Sequence, residues 1–238
     1  MKKGIFSLLI GFIYIICSIS SLAMNTGFVT EKIGEEDIPD IYERLNVQSI
    51  IEPDISIGFS CFDVNEMGNY ALGFNSDKDE ILVFDSQGNF LYGFSFEGTG
   101  TFGLEWDGES IILYRVRSDL AISIDKEGNC KEIKKIKDCP ENTHYWNHEI
   151  YATKRTINGS VFTAENHLGI LNTITAQTYS VLTKTLPNGD EVILFDITTQ
   201  RKTALTTIII IVGIFLSICI IGLILLLRRN IKRKMYNT

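Results

Sequence analysis

Acidic residues are missing from both ends of this 238-residue chain: all 29 lie between Glu31 and Asp196. The ends they leave free are apolar runs flanked by lysine and arginine, which excludes a simple soluble chain. Positive charge is in turn scarce between those runs, where 13 basic residues face the 29 acidic ones and 13 minus 29 leaves −16. A surface of that sign repels phosphate backbones, so nucleic acid is excluded as a partner. Cysteine is too sparse for a disulfide scaffold. Cys17 and Cys219 fall in the apolar runs, leaving Cys61, Cys130 and Cys139 and room for one bridge, with Cys130–Cys139 as the candidate pair. No nucleophile elbow, Ser-x-x-Lys, phosphate-binding glycine loop, or kinase or hydrolase signature occurs. The expectation is therefore no enzyme, no catalytic residue and no cofactor.

The longest uncharged run is Ala204–Leu227. As a helix rising ~1.5 Å per residue it reaches roughly 36 Å, enough to cross a bilayer with some tilt. Arg228, Arg229, Lys232, Arg233 and Lys234 follow it, against only Arg201 and Lys202 before it. The positive-inside bias places the tail 228–238 in the cytoplasm and the preceding residues outside, at the plasma membrane. At the other end, Lys2 and Lys3 precede the apolar run Ile5–Ile19, and Ser21-Leu22-Ala23 offers small residues where a signal peptidase reads. Residues 1–23 thus read as a signal peptide cut after Ala23, or as an uncleaved anchor, since Gly4–Ala23 is just long enough to span.

Between the ends, residues 24–59 form an irregular segment. Acidic residues and Pro39 mark a helix start, with Ile41 and Leu45 on one stripe, so a short helix is predicted over 39–46, then a linker through Pro53. From Gly58 the pattern turns to β and runs to about residue 200. Residues 62–74 align with 102–114, and 82–89 with 122–129, both at an offset of 40, with turn glycines at 68, 88, 108 and 128. Turns of the form Asp-x-x-Gly-Asn suit hairpins, because glycine takes the positive φ and the Asp side chain bonds back to the backbone. This arrangement resembles the repeats of NHL or YVTN-type β-propellers over residues 60–137 and, more loosely, 150–197. The resemblance implies an all-β domain of four-stranded, ~40-residue units. A third unit spans Thr156 to Asp190 with its glycines 30 apart, and closed propellers usually need four or more blades. An open stack of sheets, a fourth sheet from residues 25–60, and closure between subunits all remain consistent with that count.

Several side chains could carry a site. Arg115 and Arg117 fall on one face of a predicted strand and could clamp a carboxylate or sulfate, although a cross-strand ion pair is the ordinary use. Trp106, Tyr114, Tyr145 and Trp146 sit near turns, where exposed aromatics would anchor a ligand; most aromatics in a β-domain are core. His144 and His148 are four apart, which suits a metal pair, but the glutamate of the zincin motif is missing and an aromatic-rich loop accounts for them. Asp77, Asp79 and Glu80 form an acidic turn without the EF-hand order. Asn158-Gly159-Ser160 is a glycosylation sequon and also a two-residue hairpin turn. Gly213 and Ser217 make a small-xxx-small pair that would let a second membrane helix approach. These readings favour a single-pass membrane protein that displays a β-repeat binding module, its partners being the bilayer and another protein or a second copy. The alternatives are a cell-surface hydrolase and a structural subunit that pairs through β-edges.

Overall fold

A computed structural model describes residues 24–75, 78–173 and 178–236 of the chain; the expected signal segment, 1–23, lies outside them. The described residues form three antiparallel sheets and a long C-terminal helix. The first sheet is a meander of β3 (Cys61–Val64), β4 (Tyr70–Phe74), β5 (Asp79–Phe84) and β6 (Phe90–Phe96). The second repeats that order with β7 (Phe102–Asp107), β8 (Ser110–Arg115), β9 (Leu120–Ile124) and β10 (Cys130–Ile136). The third holds β11 (Lys154–Ile157), β12 (Ser160–Glu165), β13 (Val181–Thr185) and β14 (Glu191–Asp196).

The turn chemistry explains why the strands reverse where they do. Asn65, Asp85 and Asp125 each accept two backbone N–H groups, from the residues two and four further on, at 2.8–3.1 Å. Gly68, Gly88 and Gly128 complete those turns at φ of 80°, 92° and 88°, where a Cβ would be strained. Asn158 and Gly159 both have positive φ, as a two-residue hairpin turn requires.

Residues 24–59 do not build a fourth sheet. The helix α1 (Ile38–Leu45) forms as expected, but two three-residue strands flank it, β1 (Thr30–Lys32) and β2 (Gln48–Ile50). β1 adds to the outer edge of the second sheet beside β10, and β2 to the outer edge of the first beside β6. The linker expected up to Pro53 is therefore partly strand. The third sheet has no such fifth strand among the described residues, and β14 is its outer edge.

Apolar residues of the strands meet between the sheets in layers. Ile81, Val83, Phe94, Phe96, Phe102 and Leu113 pack between the first and second sheets, where Leu45 of α1 joins them. Phe62, Leu72, Leu82, Phe162, Leu182 and Phe195 pack between the first and third. The far face of the second sheet is covered by Met24, Phe28 and the helix α2 (Pro140–Tyr145), which runs into one π-helical turn, Trp146–Ile150. The first sheet is thus central, and its β3 lies beside both β7 and β11. Cys61, Cys130 and Cys139 are all free thiols, so the Cys130–Cys139 pair does not bridge. Burial pushes the Cys61 thiol up to about 12, which keeps it protonated and inert.

The last strand passes almost directly into α3 (Thr198–Tyr236). Its side chains from Ile208 to Leu226 are exposed all round, and none of the apolar span is buried in the protein. Among the described residues one helix is therefore long and apolar enough to cross a membrane, which is consistent with a single-pass protein.

Candidate functional site

Three places concentrate polar chemistry. The first is a groove of about 380 Å³ between α1 and the loop joining the first and second sheets, lined by Arg44, Thr99, Arg115, Arg117 and Ser118 over Ile41 and Leu45. Arg115 and Arg117 do converge there, because both reach Thr99: Arg115 Nη2 donates to its carbonyl at 3.4 Å, and Arg117 Nη1 to its hydroxyl at 3.2 Å. Their roles then part. Arg115 is buried, pairs with Asp79 at 3.3 Å and lies over the Phe96 ring. Burial depresses the Arg115 guanidinium and raises the Asp79 carboxyl, and their mutual attraction opposes both effects. Arg44 is paired with Asp40 along α1. Arg117 is the arginine of the groove that has no carboxylate partner among the described residues. The expected acidic turn is accordingly split. Asp79 is an internal ion-pair partner, Glu80 lies on β5, and Asp77 falls outside the described residues.

The second place is the line of inner strands β3, β7 and β11. Asp63 on β3 accepts Arg155 Nε of β11 at 3.1 Å and the backbone N–H of Trp106 on β7 at 2.8 Å. One carboxylate thus ties three sheets together. Burial raises the Asp63 carboxyl, while Arg155 and the Trp106 N–H pull it back. One residue before Trp106, Glu105 accepts the hydroxyls of Tyr114 and Tyr145, each at 2.5 Å. Tyr114 also shares a 2.5 Å hydrogen bond with Thr26.

Burial raises the Glu105 carboxyl above its ordinary 4.5, outweighing the two tyrosine hydrogen bonds that favour ionisation. A carboxyl held higher in the folded than in the unfolded state binds its proton more tightly when folded. The stability Glu105 contributes should therefore be fully present below the unfolded value, and fall as pH rises through the folded one. Glu105→Gln should remove this part of the pH dependence, read as a smaller fall in melting temperature as pH rises above 4.5. An unchanged slope would contradict the assignment.

The sequence-derived aromatic residues all pack against the sheets. Trp106 is half-buried against the layer between the first and second sheets, and its indole N–H has no partner among the described residues. Trp146 packs on Phe28, Tyr114 and Tyr151, with ring centroids 4.9, 5.8 and 5.6 Å away. His144 and His148 lie on α2 and the π turn rather than in a loop. Their rings stack 4.0 Å apart, and His148 Nδ1 is 2.9 Å from the His144 carbonyl. Among the described residues no third His, Cys, Asp or Glu joins them in a metal-binding group.

Asp63, Glu105 and Arg155 escaped the reading of the sequence. For Asp63 and Glu105 the one local signal is a charge within a short, largely apolar strand, as in Cys61-Phe62-Asp63-Val64; Arg155, in the polar strand Lys154–Ile157, carries none.

The third place is the edge of β14. Val192 and Ile193 are 43% and 60% exposed there, while the neighbouring Leu194 carbonyl accepts the Tyr70 hydroxyl at 2.9 Å. The open part of the edge is therefore Glu191–Ile193, equal in length to β1 and β2. Comparisons with protein-family models, with curated proteins and with solved structures found no match to this chain.

Proposed function

We propose that this chain is a membrane-anchored interaction module, held outside the cytoplasm by α3, that recruits a β-strand of another polypeptide to the open edge of β14. The carrying observation is the asymmetry among the sheets. The first and second sheets each have their outer edge closed by a three-residue strand, whereas no described residue covers Glu191–Ile193 of the third, which carries two exposed aliphatic side chains. An uncovered, apolar edge is a template for strand addition, with backbone bonds supplying affinity and alternate side chains supplying selectivity. The three sheets read as blades of an open, propeller-like stack, in keeping with the 40-residue offset in the sequence. The basic run Arg228–Lys234 supports a cytoplasmic tail and a plasma-membrane location. Because β14 leads straight into α3, the added strand would be held at a fixed height above the bilayer, where a partner that is itself membrane-anchored can meet it.

Site-specific photo-crosslinking tests the reading. A benzophenone amino acid in place of Ile193 should give one discrete adduct in native membranes, and the same probe at the exposed turn residue Met67 should give none. Equal labelling at both positions, or lipid adducts alone at 193, would dismiss the edge as an interaction surface.

A further inference from the structure

The N-terminal residues of the described domain are bound more elaborately than their place in the chain demands. The Met24 backbone nitrogen donates to Glu132 Oε2, and its carbonyl accepts Lys134 Nζ at 3.0 Å. Lys134 in turn lies 3.4 Å from Glu132. The next residue, Asn25, donates its N–H to Asp107 Oδ2 at 3.0 Å. The Met24 side chain is 5% exposed and packs in the layer that holds Phe28, Ile112 and Ile136. Two carboxylates, Glu132 and Asp107, therefore face residues 24 and 25, and among the described residues Lys134, beside Glu132, is the one cation paired in that group. An internal amide at Met24 leaves that group one positive charge short; an α-ammonium would balance it.

Position along the sheets gives an independent argument. Gly58 abuts the Arg201 guanidinium, and Ser60, two residues on, bonds through its N–H to the Gly73 carbonyl at 2.7 Å. Gly73 itself sits against Cys61 and the Phe102 ring. The end of the sheets marked by Cys61 and Phe102 is thus the end from which α3 leaves. β7 runs from Phe102 to Asp107, five steps at ~3.3 Å or roughly 17 Å, and Asn25 is bonded to Asp107. Met24 therefore sits at the opposite end from α3. The apolar run Gly4–Ala23 stops immediately before it and leaves no spacer. A span ending at Ala23 in the bilayer that holds α3 would need Met24 at the other end of the sheets.

Building on the topology proposed above, we infer that the chain is cut between Ala23 and Met24, and that the α-ammonium so released is a structural ligand of Glu132. The cut is a hydrolysis by a leader peptidase. Water gives its hydroxyl to the Ala23 carbonyl carbon and a proton to the Met24 nitrogen, and solvent supplies the further proton that makes the ammonium. Residues 1–23 leave with a new carboxylate. The new terminus exchanges one amide donor for three, beside Glu132 and near Asp107, with Lys134 on the adjoining carbonyl. Processing thus completes an ionic group that the unprocessed chain leaves unbalanced, which couples export to the stability of the second sheet.

The test begins with the intact mass of the full chain, produced in an exporting host and purified in detergent. The expected species starts at Met24; a species that retains residues 1–23, or starts elsewhere, overturns the inference. Protease access to the domain on intact cells is read in parallel. A retained leader with the domain exposed defeats this inference alone, whereas a protected domain defeats the topology as well. In the processed protein, Glu132→Gln should lower the melting temperature by roughly 2–4 °C, the shift expected for one such interaction in a domain of this size. In a chain left uncut by Ala23→Leu, the same change should shift melting by less than half as much. Equal shifts in the two forms would show that Glu132 does not answer to the free terminus.

Discussion

Replacing Asp63 with alanine is expected to lower the stability of the domain by about 3–5 kcal/mol, the usual cost of removing one partner from a buried ion pair. Asp63 and Arg155 are each 13% exposed, and the pair joins strands of different sheets. Without the carboxylate, the Arg155 guanidinium stays over the Phe62 ring, 5.9 Å from its centroid, with its charge unmatched. The Trp106 N–H loses its acceptor in the same step. Guanidinium titration of the full chain in detergent micelles, followed by near-ultraviolet dichroism, would measure the loss. Adding Arg155→Met to Asp63→Ala should recover part of it, because the double change removes the stranded charge as well. A loss under ~1 kcal/mol would show that the three sheets hold together without this junction.

Replacing Phe102 with alanine should cost a similar ~3–5 kcal/mol, for a different reason: it empties a closely packed volume between the first two sheets. The Phe102 ring is fully buried, meets Phe96 edge-on at 5.0 Å, and lies against the bare backbone of Gly73. A Cβ at Gly73 would collide with both the Cys61 sulfur and that ring. Gly73→Ala should therefore destabilise the native protein, and do so less when Phe102 is already alanine. This non-additivity is expected of residues in contact and is read from a double-mutant cycle of denaturation free energies. Strict additivity would place the two residues in separate packing units and refute the contact.

What the sequence displayed well was local. An Asp or Asn that caps its own turn needs only the next four residues, so the reversals at Asn65, Asp85 and Asp125 were legible before any fold was known. The same holds for α1, with its apolar stripe, and for the membrane-length run of α3. What it concealed was distant. β1 and β2 are three residues long, and their partners Ile136 and Ser95 lie far along the chain from Thr30 and Gln48, so neither carries a pattern of its own. The arginine pair shows the same division. Spacing of two suggested a shared face, and both side chains do reach Thr99. Which of them is spent internally depends on Asp79, a neighbour supplied by another sheet. Tyr145 and Trp146, expected near the surface, are drawn inward by Phe28, a residue more than a hundred positions earlier.

The joint between β14 and α3 contains a single residue, Ile197, whose N–H is bonded to Ser180. One turn on, Arg201 donates to Thr178 Oγ1 at 2.7 Å and Asn166 Oδ1 at 3.2 Å, which fastens the first turn of the helix to the third sheet. The protein therefore has no swivel between its outer body and its anchor. Whatever tilt the bilayer imposes on the helix becomes the attitude of the whole body over the membrane, and one extra residue in the first turn would swing that body about the helix axis by ~100°. A partner held in the membrane would meet this domain along one bearing, as a key cut on a rigid shaft meets its lock.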